Sequence, residues 1–368
     1  MLNYKYALLT NSNKNEFGFK NQVLLSNKYE LQFQKTNKKC ICFVSFDYKN
    51  ELESFSKKEN NPLELPKQLF IEVEETVLLD EVIFGEIDKS QKSIEIKPTV
   101  TKEEYIKKVN TLKQHIQQGN IYEINYCMTF EARDVCIDPL SIYQKLNAIS
   151  KAPYSSLAKF DKHYIISSSP ELFLTKTGNT LYTKPIKGTA KRGVTQLEDD
   201  TIKLELKSNL KERNENVMIV DVARNDLSRI AAKGTVKVDK LFDIESYMQV
   251  HQMVSTVSCE LKENTSFNDI INATFPMASM TGAPKIRAMQ LIDEFELYNR
   301  GPYSGALGYI DEKDDFDLSV LIRSIFYDEE KKYLSFTVGS AITAMCNAEA
   351  EYEECMLKAK AMMQVLQN

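Results

Sequence analysis

The stretch "YIISSSPELFLTKTGNTLYTKPIKG", residues 164–188, decides the fold. Strand-forming residues flank Gly178-Asn179, a pair whose tolerance of positive φ suits a tight hairpin turn. The segment reads as an antiparallel hairpin, and Lys187 follows its return strand, between Pro185 and Gly188-Thr189. Similar strand signals recur on both sides. "QVLLSNKYELQFQ" (22–34) and "CICFVSFDY" (40–48) are strand-like runs joined by Lys-, Asn- and Glu-rich connections, as in antiparallel sheets with solvated turns. "IYEINYCMTF" (121–130) alternates as a strand, and "YSGALGYID" (303–311), "DLSVLIRSIFYD" (317–328) and "YLSFTVGSAIT" (333–343) predict three more.

Helical periodicity occupies separate blocks. Thr101 followed by Glu104 is a capping-box pattern opening a helix that carries Tyr105, Val109, Leu112 and Ile116 and stops at Gly119. Residues 196–218 are helical in pattern, followed by "MIVDVARND" (218–226) as a strand-like run. A helix starts near "TGAPKIRAMQLIDEFE" (281–296), where Pro284 suits the first turn, and a last one runs from Asn347, its N-cap, to about Leu366. "KKENNPLELPK" (57–67) reads as a flexible loop. Segregated strands and helices predict an α+β fold over a doubly wound parallel sheet. At 368 residues the chain exceeds the roughly 250–300 at which one core stops growing, so two domains or one large two-lobed sandwich are expected.

A formal net charge of −5 predicts no general affinity for nucleic acid or anionic membranes. No apolar run approaches the roughly 18 residues of a membrane span, and the N-terminus has no cleavage-like site, so a cytoplasmic protein is expected. Seven cysteines without CxxC spacing and three histidines suggest neither a disulfide framework nor zinc. Two acidic pairs stand out: Glu212 with Glu215, and Glu351 with Glu354, each i,i+3 on one face of a predicted helix. Glutamates so spaced usually make a solvated face, yet neighbouring carboxylates also suit a hard cation such as Mg2+.

Taken together, "SSPELF", "PIKGT", "ERNENVMIVDVARNDL", "VHQMVSTV", "TGAPK", "SGALGYI", "LIRS" and "EAEYEEC" resemble, in order and spacing, the chorismate-utilising enzymes. The resemblance is strong over 98–368, the chorismate-binding catalytic region, and looser over 1–97, an N-terminal region of the anthranilate synthase component I type. It implies two antiparallel sheets packed as a sandwich, helices outside, and an active site in the central cleft. A lysine before Gly-Thr, here Lys187, resembles the branch that replaces the 4-hydroxyl of chorismate by an amino group, en route to 4-aminobenzoate and folate. The 2-aminating branch carries Ala there; it and a non-catalytic chorismate-binding homologue are the alternatives. The resemblance further implies that Lys187 adds to the ring as the hydroxyl leaves and that Glu171 is the general acid. Mg2+ is then held by Glu215 and Glu354 with support from Glu212 and Glu351. Gly188, Thr189, His251, Thr281, Gly282, Tyr309, Arg323 and Lys358 contact the substrate. Lys187 must be neutral to attack, and partial burial beside a metal ion is expected to lower its pKa from about 10.4. Nothing resembles a glutaminase nucleophile turn, so ammonia is expected from a separate glutamine amidotransferase subunit.

Several positions depart from the family pattern. Glu123 stands where aminating members carry Gln and isochorismate-forming members Lys, which speaks against hydration chemistry and points to altered handling of ammonia. Gln252 replaces a second histidine associated with pyruvate elimination. Met277, Ala278, Ser340 and Ala341 replace glycines, and the last two stand to crowd backbone contacts to a substrate carboxylate.

Overall fold

A computed structural model describes residues 4–14, 18–28, 38–55, 62–85, 93–248 and 250–367. Among these, two antiparallel sheets are stacked. The first runs, neighbour by hydrogen-bonded neighbour, Gly282–Ala283, Glu123–Ala132, Tyr333–Thr343, Ser324–Asp328, His163–Ser169, Tyr154–Phe160, Tyr6–Asn11, Gln22–Ser26 and Glu75–Leu78. The second runs Ile186–Lys191, Val250–Glu260, Thr180–Lys184, Leu172–Thr177, Phe316–Val320, Ala306–Ile310, Cys40–Val44 and Gln68–Glu72. The predicted hairpin is present, with Gly178 at φ +59° in its turn. Strands from the first 78 residues extend both sheets, so this region is built into the sandwich. Residues 29–34 of the 22–34 run and 57–61 of the loop lie outside the described residues; 62–67 form neither helix nor strand.

The period of two assigns residues to two cores. Tyr6 and Leu8 enter the core between the sheets, whereas Ala7 and Leu9 enter a second core beneath the helices. Both faces being covered, the strand reads as almost unbroken apolar sequence. Helices Lys102–Gln117, Pro139–Ser150, Lys285–Phe295 and Ala348–Gln367 close the second core with Tyr105, Leu112, Leu146, Leu291 and Met362. Each such side chain, fully buried, contributes about 1.5–3 kcal/mol. The capping box on Thr101 and the Asn347 cap, which accepts from the amides of Glu349 and Ala350, form as the sequence predicts.

Three expectations change. The helical block is two helices, Gln196–Ser208 and Leu210–Ser228, because Asn209 turns to an extended conformation and caps the second through the Glu212 amide. "MIVDVARND" continues that second helix. Its β-branched residues favour a strand locally, but Glu215, Ile219, Ala223 and Leu227 repeat every four and, with Asn216 and Val220, form the buried face. Likewise "DLSVLIRSIFYD" is two strands, one in each sheet, separated at residues 321–323.

Candidate active site

Two crossings between the sheets and one bulge bring the site together. The chain leaves the first sheet after Ser169 and enters the second at Leu172, placing Glu171 at the crossing; it returns between Val320 and Ser324, placing Arg323 there. The crossings are tied together, the Val320 amide donating to the Glu171 carbonyl and the Ser168 amide to the Arg323 carbonyl. Arg323 adopts φ +52°, a conformation that a non-glycine residue holds only when its surroundings impose it. The strand Ile186–Lys191 carries the bulge: Ile186 opposes Val254 but Thr189 opposes Gln252, so an extra residue is accommodated around Lys187 and Gly188. Gly188 sits at φ +93°, and a Cβ there would press on Glu212 and Met253.

These elements surround a cavity of about 850 Å³, lined by Glu171, Lys187, Gly188, Thr189, Arg323 and Lys358 together with all four glutamates of the two helical pairs. The Lys187 ammonium donates to Glu123 Oε1 at 2.6 Å, and Glu123 Oε2 is buried without a hydrogen-bond partner. Burial alone would lower the Lys187 pKa, as expected, but the charges of Glu123, Glu215 and Glu171 outweigh it and push the pKa up to about 12. The amine thus rests as an ammonium, contrary to the sequence expectation. Burial pushes the Glu171 carboxyl the other way, up to about 7, against hydrogen bonds from Ser279 and the Ile186 backbone. Burial likewise raises Glu215 to about 7, and raises Glu212 and Glu351. In Glu354 burial is outweighed by Lys358, whose Nζ lies 2.6 Å away, and its pKa falls.

The four glutamates line one cavity from two helices, Leu210–Ser228 and Ala348–Gln367. Their donor chemistry fits a hard divalent cation, and Glu215 Oε1 is buried with no hydrogen-bond partner. Among the described residues, no three carboxylate, histidine or cysteine groups stand close enough to hold a metal ion as placed. A cation would therefore have to draw these side chains inward.

Four predicted substrate contacts do not line the cavity. Tyr309 points into the core between the sheets, where its hydroxyl donates to Asp317 and accepts from the Lys20 amide. Thr281 is fully buried and donates to the carbonyls of Met277 and Ala278. Gly282 pairs with Ile124 at the start of the strand that carries Glu123, and a Cβ there would lie 2.2 Å from the Glu123 carbonyl oxygen. It therefore positions Glu123 and faces no ligand space. His251 is also buried, between Asp199 and Ser246 at 2.8 Å each, behind the bulge.

The chorismate binding enzyme model matches residues 4–364. The chain is a member of the chorismate binding enzyme family. It is 41% identical over 280 residues to "Aminodeoxychorismate synthase, chloroplastic" of Arabidopsis thaliana, covering 75% of this chain but 30% of that protein. The chain thus spans less than a third of that relative's length. To "Aminodeoxychorismate synthase component 1" of Bacillus subtilis (strain 168) it is 31% identical over 362 residues, 89% of this chain and 76% of that one. Relatives named anthranilate synthase component 1 also match. The crystal structure of anthranilate synthase component I from Streptococcus pneumoniae TIGR4 superposes with a TM-score of 0.80 at 24% identity, covering 98% of this chain and 92% of that one, and shows the same fold.

For this chorismate binding enzyme, one of the departures noted in the sequence is absorbed locally. Ser340 does not crowd the cavity: it is fully buried, with its hydroxyl 2.9 Å from that of Tyr105. Gly339 is the position that must stay small, because a Cβ there would meet Cys127 Sγ at 2.4 Å. Ala341 does line the cavity, as does Gln252. Tyr303 lines it too, and was missed in the sequence because "PYSGALGY" offers two tyrosines six residues apart with the same strand-like surroundings. Asn125, Ser279 and Lys211 also line it, and no motif flags them.

Proposed function

We propose that the chain converts chorismate and ammonia to 4-amino-4-deoxychorismate and water, on the route to 4-aminobenzoate and folate, with ammonia supplied by a glutamine amidotransferase subunit. Lys187 carries this reading: a primary amine on a bulge, buried at the cavity wall, hydrogen-bonded to one carboxylate and sharing the cavity with another. The names of relatives that match over most of this chain support it.

The chemistry follows from the resting charges. Glu123 is placed to take the Lys187 proton, leaving a neutral amine. That amine bonds to ring carbon C2 while the C4 hydroxyl leaves as water with the proton of Glu171. Ammonia then bonds to C4, the C2–nitrogen bond breaks with its electrons returning to Lys187, and Glu171 accepts the proton shed by the new amine. Glu123 returns its proton to Lys187. Arg323 offers a planar fork to a substrate carboxylate and Lys358 a point charge. Glu215 and Glu354, with Glu212 and Glu351 beside them, would hold Mg2+, which supplies neutralisation of substrate carboxylate charge.

Incubating the purified chain with chorismate, ammonium and Mg2+ tests the reading. The expected product is 4-amino-4-deoxychorismate, identified by mass, with no fluorescent anthranilate and no glutamate released when glutamine replaces ammonium. Anthranilate as product would overturn the assignment of position, and binding without turnover would overturn the enzymatic reading.

Glu171 also dictates a pH dependence. A general acid works while protonated, so with a pKa near 7 it is competent below that pH and spent above it. With free ammonia held constant, kcat/KM is expected to fall as pH rises through about 7. Glu171→Gln should lower activity by about a hundredfold or more and flatten that limb. A limb unchanged in the variant would assign the titration to another group.

A further inference from the structure

We infer, building on the magnesium reading above, that Lys211 is a tethered counter-ion of the carboxylate cluster and competes with a divalent cation for it. Its Nζ lies 3.8 Å from Glu215 Oε1 and 3.6 Å from Glu351 Oε1, spanning the two helices that carry the four glutamates. The carboxylates are buried, their side chains 9% and 4% exposed, while that of Lys211 is 51% exposed and reaches in from solvent. Glu215 Oε1 is the same oxygen that lacks a hydrogen-bond partner, so Lys211 supplies it with charge but not with a hydrogen bond.

The helix itself gives no reason for a lysine here. Lys211 is in the first turn of Leu210–Ser228, where the helix dipole disfavours a cation, and it precedes Glu215 by four residues, the weaker order for an i,i+4 pair. What favours it is the cluster of four acids ahead of it. Lys358 differs: it is anchored by the Gly339 carbonyl as well as by Glu354, whereas Lys211 makes ion pairs but no hydrogen bond among the described residues. A hard cation needs the oxygens that Lys211 faces, and two cations a few ångströms apart repel, so the lysine must swing outward as the ion enters. Its long, half-exposed stem allows that movement.

Titration with Mg2+ alone, followed calorimetrically without substrate, tests this in the full chain. Lys211→Met is expected to bind Mg2+ about tenfold or more tightly than the parent, since the competing charge is gone. Lys211→Arg, which keeps the charge, should stay within about threefold of the parent. In EDTA, Lys211→Met should melt below the parent, and saturating Mg2+ should raise its melting temperature more than the parent's. Unchanged or weaker Mg2+ binding by Lys211→Met, with binding abolished in Glu215→Gln, would overturn the role of Lys211 and leave the magnesium reading standing. Parent-like Mg2+ binding by Glu215→Gln would overturn the magnesium reading itself.

Discussion

Lys187→Ala is expected to lose on the order of a thousandfold or more in kcat, because in the proposed reaction it removes the nucleophile rather than a contact to the substrate. Chorismate affinity should stay within a few-fold, since Arg323, Lys358 and Tyr303 line other parts of the cavity. Without a covalent occupant at C2, residual amination is expected to shift from C4 towards C2, the outcome of the branch that carries alanine there. Product mass and anthranilate fluorescence measure that shift, and equilibrium binding measures the affinity. The substitution also strands Glu123, a carboxylate 1% exposed, and an uncompensated buried charge destabilises by about 3–5 kcal/mol. Lys187→Ala combined with Glu123→Gln should recover most of the melting temperature but none of the turnover. Recovery of 4-amination in the double variant would return Lys187 to a structural role.

Glu215→Ala is expected to reduce activity by about a thousandfold and to abolish stimulation by Mg2+. Neutralising substrate charge in a cavity is worth several kcal/mol in the transition state, and about 4 kcal/mol corresponds to that factor. The fold should survive, because the variant removes a carboxyl that burial already disfavours in its charged form. Activity that persists in EDTA in the parent would show that the four glutamates serve another purpose.

The antiparallel strands were legible because hairpin and alternation signals are local: Gly178-Asn179 sets one turn, and "IYEINYCMTF" alternates as a strand. What was not legible depends on pairing at a distance. "DLSVLIRSIFYD" carries no break signal, and its division follows from joining two different sheets. The residues on helices and crossings that line the cavity could be named because acidic spacing and motif order are visible along the chain. Tyr309 and Tyr303 could not be separated that way. Which tyrosine faces the cavity depends on the partners Asp317 and Lys20, and on Cys127 beside Tyr303. The protonation of Lys187 escaped for the same reason. Its strongest charged partner, Glu123, is 64 residues away and reads as an oddity until the sheets are stacked.

Glu123 belongs to the first sheet and Lys187 to the second, so their contact is a clasp between the sheets. In the proposed reaction that clasp must open on every turnover, at the moment the amine bonds to the ring. While it is open the apolar core between the sheets holds them together, and the clasp closes again when the new amine is made.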